Sequence, residues 1–172
     1  REAPFFLYVS LTAPHTPIAP RPEFVGTSGA GRYGDYVAQV DGTVGQILAA
    51  LDRNGLRDDT LVLFTSDNGS PARDGTNMAG PTRSVLSKYG HDPSRPWRGM
   101  KSDIWEGGHR VPFLIRWPGH VAPNTRSKEL ICLTDCFATF AALVGQELPN
   151  EAGEDSLNFL PVLEGRERNQ PI

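Results

Sequence analysis

Cysteine is scarce in this 172-residue sequence: there are two, too few for a disulfide framework, and they leave the redox compartment open. Long apolar runs are missing as well, since none approaches the ~18 residues of a membrane-spanning helix. An excess of basic charge is absent, the formal net charge being −3, so the electrostatic footprint of a nucleic-acid binder is lacking. Repeats and low-complexity tracts are absent too, and 38% hydrophobic with 22% charged residues excludes disorder, collagen and coiled coil. The sequence starts at Arg1 without Met or leader and runs almost directly into an apolar segment, so an excerpt of a longer protein is expected. What is abundant is glycine (18) and proline (15), above the average usage of about 7% and about 5%. That excess points to long, shaped loops.

Phe5-Phe6-Leu7-Tyr8-Val9-Ser10-Leu11, stopped by Pro14, has the pattern of a strand buried on both faces. Tyr36, Val37, Val40, Val44, Ile47, Leu48 and Leu51 recur at three- and four-residue steps and predict an amphipathic helix closed by Asn54-Gly55. Gly42 and Gly45 weaken that helix or mark close packing against a sheet. Thr60-Leu61-Val62-Leu63-Phe64-Thr65 is a second buried strand, which gives the strand–helix–strand order of a parallel crossover. A long, poorly apolar stretch from Ser70 to Gly108 precedes a third strand, Val111 to Trp117. Leu133 to Val144 is a second helix stopped by Gly145, and 145–172 is turn-rich. These elements predict an α/β sandwich fragment.

In open α/β sheets, ligands collect beyond the carboxyl ends of strands. The first strand leads into Ala13-Pro14-His15-Thr16-Pro17, where flanking prolines stiffen the loop around His15. Its imidazole suits contact with an anion or proton transfer to a leaving oxygen, although a single histidine is more often structural. The second strand ends in Ser66-Asp67-Asn68-Gly69-Ser70, which reads either as a plain turn or as a hard-cation corner. In the latter, Asp67 offers a carboxylate oxygen and Asn68 an amide oxygen. Asn68-Gly69-Ser70 also fits an N-glycosylation acceptor, which a metal-bound Asn68 would preclude. In Trp97-Arg98-Gly99-Met100-Lys101, Lys101 is a point cation for a sulfate or phosphate oxygen, or one surface lysine among many. Glu106 and Arg110 can pair, with Gly107-Gly108 as a tight turn between them.

Taken in order, Pro4 to Val9 with Ala13-Pro14-His15-Thr16-Pro17, Tyr36 to Leu51 with Asp41 and Gly45, Asp59 to Gly69, Arg98-Gly99-Met100-Lys101 and Glu106 to Phe113 resemble the type I sulfatases of the alkaline-phosphatase-like superfamily. The resemblance extends to about Val144, with a weaker echo at Asp155-Ser156-Leu157 and Leu160 to Leu163. It implies an α/β/α sandwich with a mostly parallel or mixed sheet, here a fragment. Residues 1–144 would be the later part of the catalytic domain, and 145–172 would lead towards a smaller C-terminal subdomain. It further implies that Asp67 and Asn68 match two ligands of the family's divalent cation, calcium with Mg²⁺ as an alternative. His15 matches a sulfate-contacting histidine, and Lys101 a lysine that binds sulfate and steadies the leaving oxygen. The implied reaction is hydrolysis of a small-molecule or carbohydrate sulfate ester by a formylglycine nucleophile. Secreted, periplasmic or lysosomal placement is the family expectation, with no nucleic-acid partner and no membrane span.

The sequence departs from that pattern in two respects. Neither the Cys/Ser-x-Pro-x-Arg motif that yields formylglycine nor the Asp-Asp metal pair is found near the start of the sequence, where the family has them. His91-Asp92-Pro93-Ser94-Arg95 imitates the motif with His91 in the nucleophile's place and on the wrong side of Asp67. Cys132 and Cys136 lack that context and are expected to behave as small apolar residues. The segment alone is therefore expected to be inactive. A phosphodiesterase or phosphonate hydrolase of the same superfamily and a non-catalytic binder of sulfated glycan are the alternatives. Gly29-Ala30-Gly31-Arg32-Tyr33-Gly34 fits a dinucleotide-binding pattern literally, but a proline-rich loop stands where that pattern needs a strand.

Overall fold

The structure, a computed structural model, describes residues 3–70 and 84–168. They divide into two compact units, one within Arg1–Gly55 and Phe64–Leu114, the other within Leu56–Leu63 and Ile115–Ile172.

In the first unit a 3-10 turn at Pro22–Phe24 precedes the long helix α1, Gly31–Arg53. The helix starts five residues before the apolar stripe, and Asp35 ties the loop before it to its opening turns. Its carboxylate, 3% exposed, accepts the N–H of Gly26 at 2.8 Å and of Ser28 at 3.0 Å, and the Ser28 hydroxyl at 2.7 Å. Burial works against the charge, yet these hydrogen bonds outweigh it and hold the carboxyl below its ordinary range. At the other end the Asn54 amide donates to Ala50 O at 2.8 Å, and Gly55 takes φ +66°, which closes the helix as its sequence indicates. Gly42 marks close packing, but against Phe24 and not against a sheet: a Cβ there would lie 3.0 Å from the Phe24 ring, while Gly45 faces open space.

Strands β1, Val62–Thr65, and β2, Phe113–Arg116, pair in a two-stranded sheet. The strand expected over Phe5–Leu11 does not form. That segment is exposed, with Phe6 at 78% and Tyr8 at 79%, because a strand exists only through a ladder and the described ladder joins β1 to β2. The expected crossover thus reduces, among the described residues, to α1 followed by β1. The stretch between the strands is not wholly irregular. It holds helix α2, Ser84–Tyr89, and a single helical turn α3, Glu106–His109, where a tight turn was expected at Gly107-Gly108. The early part of that stretch, 71–83, lies outside the described residues.

The second unit is built on α4, Asp135–Leu143, and the short α5, Leu160–Leu163. Asp135, 3% exposed, accepts the N–H of Cys132 at 3.0 Å and of Leu157 at 2.9 Å, and the Arg168 guanidinium at 3.1 Å. Desolvation opposes its ionisation, and these partners reverse the balance, so its carboxyl is held below the usual range. Thr139 Oγ1 donates to Asp135 O at 2.7 Å and accepts the N–H of Phe159 at 3.0 Å, which seats the Phe159 ring at 2% exposure. Gly145 follows α4 with φ +68°. Cys136 is half-buried, and burial raises its thiol; Cys132 is exposed, not packed, and hydrogen bonds from Thr134 lower it.

Candidate functional site

Polar groups gather in the first unit where β1 ends. After Thr65 the chain turns through Ser66-Asp67-Asn68, and Ser66 Oγ donates to Asn68 O at 3.3 Å. The turn is fixed to the loop 97–110 by backbone. Gly69 N–H donates to Gly108 O at 2.8 Å, and Lys101 N–H donates to Ser70 O at 3.1 Å. Within that loop, Gly107 N–H donates to Arg98 O at 2.8 Å.

Such close approach is possible only without side chains. A Cβ on Gly69 would lie 1.9 Å from Gly107 O, one on Gly107 would lie 2.2 Å from Gly99 O, and one on Gly108 would lie 2.1 Å from Asp103 O. Gly69, Gly107 and Gly108 are buried, so the seam is a backbone-to-backbone contact. Met100, 6% exposed, anchors the loop from inside. Around Lys101 the chain makes a tight turn, with Asp103 N–H on Met100 O at 2.9 Å, Met100 N–H on Asp103 Oδ2 at 3.0 Å, and Ser102 at φ +74°. Outside the seam two guanidinium groups cover tryptophan rings: Arg98 lies 3.8 Å over Trp105, and Arg110 lies 4.0 Å over Trp97. Arg110 also meets Glu106 at 2.5 Å, the pairing expected from the sequence.

The side chains offered by this frame are largely unspent. Asp67 is exposed and is approached by Ser66 Oγ at 3.5 Å. Asn68 donates its amide nitrogen to Gly69 O at 3.0 Å, which leaves the amide oxygen for another partner. One carboxylate and one amide oxygen on a single turn are the donor types that a hard divalent cation takes, so these residues fit calcium or magnesium. They are too few to hold it alone, and the described residues contain no group of three or more His, Cys, Asp or Glu placed for a metal. The engaged amide nitrogen also speaks against Asn68 as a glycan acceptor.

Asp67, Asn68 and Lys101 are thus brought together by sequence-distant backbone bonds. His15 is not joined to them by any hydrogen bond among the described residues. It is exposed and bonds within its own loop, its N–H to Thr12 O and its Nδ1 to Thr16 O, both at 3.0 Å. The imitation motif at 91–95 makes a turn, with Ser94 N–H on Asp92 Oδ1 at 3.1 Å. One participant is not evident from sequence: Tyr33, in the first turn of α1, meets Ser70 Oγ at 3.5 Å. Burial raises its phenol above the ordinary value, and the Asp67 charge adds to that. Nothing in the 29–34 segment signalled this contact, because the helix pattern there starts only at Tyr36.

A family model described as Sulfatase matches residues 1–146. An N-acetylgalactosamine-6-O-sulfatase of Bacteroides thetaiotaomicron is 41% identical over 167 residues, covering 97% of this chain and 32% of that protein. The steryl-sulfatase of Rattus norvegicus is 41% identical over 165 residues, covering 96% of this chain and 27% of the relative. A solved structure from Bacteroides thetaiotaomicron, described with the metabolism of multiple glycosaminoglycans, superposes with a TM-score of 0.82 at 38% identity over 99% of this chain and 34% of its own. The chain spans about a third of the length of the curated relatives it matches.

Proposed function

Given that this chain belongs to the sulfatase family, with its α/β fold of the alkaline-phosphatase type, we propose that it carries the cation corner and the anion-binding lysine of a sulfate ester hydrolase. The observation that supports this most is the pair of backbone bonds from Gly69 to Gly108 and from Ser70 to Lys101. They bring the backbones of Asp67, Asn68 and Lys101 onto adjoining turns, which supports a shared ligand.

In sulfate ester hydrolysis an oxygen nucleophile attacks sulfur and the bond to the ester oxygen breaks, so negative charge builds on the leaving oxygen. Fixed positive charge near those oxygens is the main catalytic need. Asp67 and Asn68 would hold calcium, or Mg²⁺, which when bound supplies Lewis-acid polarisation of a sulfate oxygen. Lys101, on the turn at Met100–Asp103, binds the sulfate and steadies the leaving oxygen. His15 contacts the sulfate or passes a proton to the departing oxygen, from a loop held by its own hydrogen bonds. The nucleophile we assign to the protein is formylglycine, and neither Cys132 nor Cys136 stands in the motif that forms it.

The substrate class favoured is a carbohydrate sulfate, as in the N-acetylgalactosamine-6-O-sulfatase relative; the steryl-sulfatase relative favours a small-molecule sulfate as the second reading. Export to a secreted, periplasmic or lysosomal compartment is part of the proposal. In the full-length protein, Asp67→Ala is expected to lower aryl sulfate hydrolysis by roughly 100-fold or more, and to abolish its response to calcium. Unchanged turnover with unchanged calcium dependence would overturn the assignment, and glycan binding without turnover in the wild type would favour a non-catalytic binder.

A further inference from the structure

Tyr33 stands where the parts of the site meet. Its phenol oxygen faces Ser70 Oγ at 3.5 Å, 37 positions away in sequence, and the carbonyl of the same Ser70 accepts the Lys101 N–H at 3.1 Å. Asp67 is three residues before Ser70 and near enough for its charge to act on the phenol. The platform beneath Tyr33 is fixed. The buried Asp35 ties the loop at Gly26 and Ser28 to the first turn of α1, and a Cβ on Gly34 would fall 2.6 Å from Ser28 Oγ. The loop before the helix and its opening turns are therefore held as one piece.

We propose that Tyr33 is a positioning residue of the site: through Ser70 it holds the Asp67–Asn68 turn in register with Lys101. The proposal rests on the sulfate ester reading of those residues. The chemistry suits the task. The phenol oxygen accepts the Ser70 hydroxyl, so the link is made by two neutral groups. A neutral group near Asp67 leaves that carboxylate its charge, whereas a lysine or arginine there would compete with a cation for the same oxygens.

The test uses the full-length protein stripped of metal. Tyr33→Phe removes one hydroxyl and keeps the ring, and Ser70→Ala removes the link from its other end. Each is expected to weaken calcium binding, followed by titration calorimetry, on the order of 10-fold. Each should also raise KM for an aryl sulfate, with kcat largely recovered at saturating calcium. Because one link is removed from either end, the double variant should bind calcium no more weakly than either single one. Calcium affinity and KM unchanged in both single variants, or fully additive losses in the double, would overturn the role of Tyr33. If Tyr33→Phe is silent while Asp67→Ala abolishes calcium binding, only the positioning role fails. If the wild type itself takes up no calcium, the reading beneath it fails as well.

Discussion

The corner at Asp67 and the knot at Asp135 use the same side chain in opposite ways. Asp135 is buried and its carboxylate is taken up by two backbone N–H groups and the Arg168 guanidinium. Asp67 is exposed on a turn that backbone bonds and missing Cβ atoms hold in place, so its carboxylate is not needed for the fold. Where side chains carry the structure, the charge is consumed. Where glycines carry it, the charge remains for a ligand.

Substitutions can break this contrast. The largest stability loss is expected from Asp135→Ala, about 3–5 kcal/mol, because it takes the nearer carboxylate from the Arg168 guanidinium, whose side chain is 3% exposed, and leaves the N–H groups of Cys132 and Leu157 without their acceptor. Urea denaturation of the full-length protein would measure it, and Asp67→Ala in the same assay should cost under about 0.5 kcal/mol as a surface change. A loss at Asp67 equal to that at Asp135 would erase the distinction. Lys101→Ala should leave the denaturation midpoint in place yet cost on the order of 3 kcal/mol in transition-state stabilisation, by analogy with losing one oxyanion donor. Kinetics with an aryl sulfate check it. Gly69→Ala forces the seam open and should cost about 1–3 kcal/mol by thermal melting, as overpacking does. A stable, fully active Gly69→Ala protein would show that the seam does not set the site.

The smallest effect concerns pH. Asp135 has its carboxyl below the ordinary range when folded, so the unfolded chain binds its proton more readily. The stabilisation is therefore complete above the unfolded value, about 3.9, and is lost as pH falls through the folded one. Acid titration of wild type against Asp135→Asn should show the wild type losing its advantage only below about pH 4.

Local chemistry made much of this legible in the sequence. The stripe from Tyr36 to Leu51 and the Asn54-Gly55 stop gave α1, since both signals act within a few residues. Asp67, Asn68 and Lys101 were singled out by the resemblance to the sulfatases, since by local chemistry alone they read equally as a plain turn and a surface lysine. Phe5–Leu11 misled because apolar composition reports a preference for burial, while a strand also requires a partner that composition cannot supply. Tyr33 and Asp35 were missed because their partners are set by where the loops fold, at Ser70 for one and at Gly26 and Ser28 for the other. The meeting of Asp67 with Lys101 likewise depends on bonds at Gly69 and Ser70 that involve only backbone, to which side-chain patterns are blind.

The glycine seam also limits how this site can diversify. Gly69, Gly107 and Gly108 leave no volume for any other residue, so variation around Asp67 and Lys101 must enter elsewhere. The outward rim of the same loop is open to it, with Ile104 86% exposed and Trp105 46% exposed. A library built on this loop should randomise that rim and leave the seam untouched.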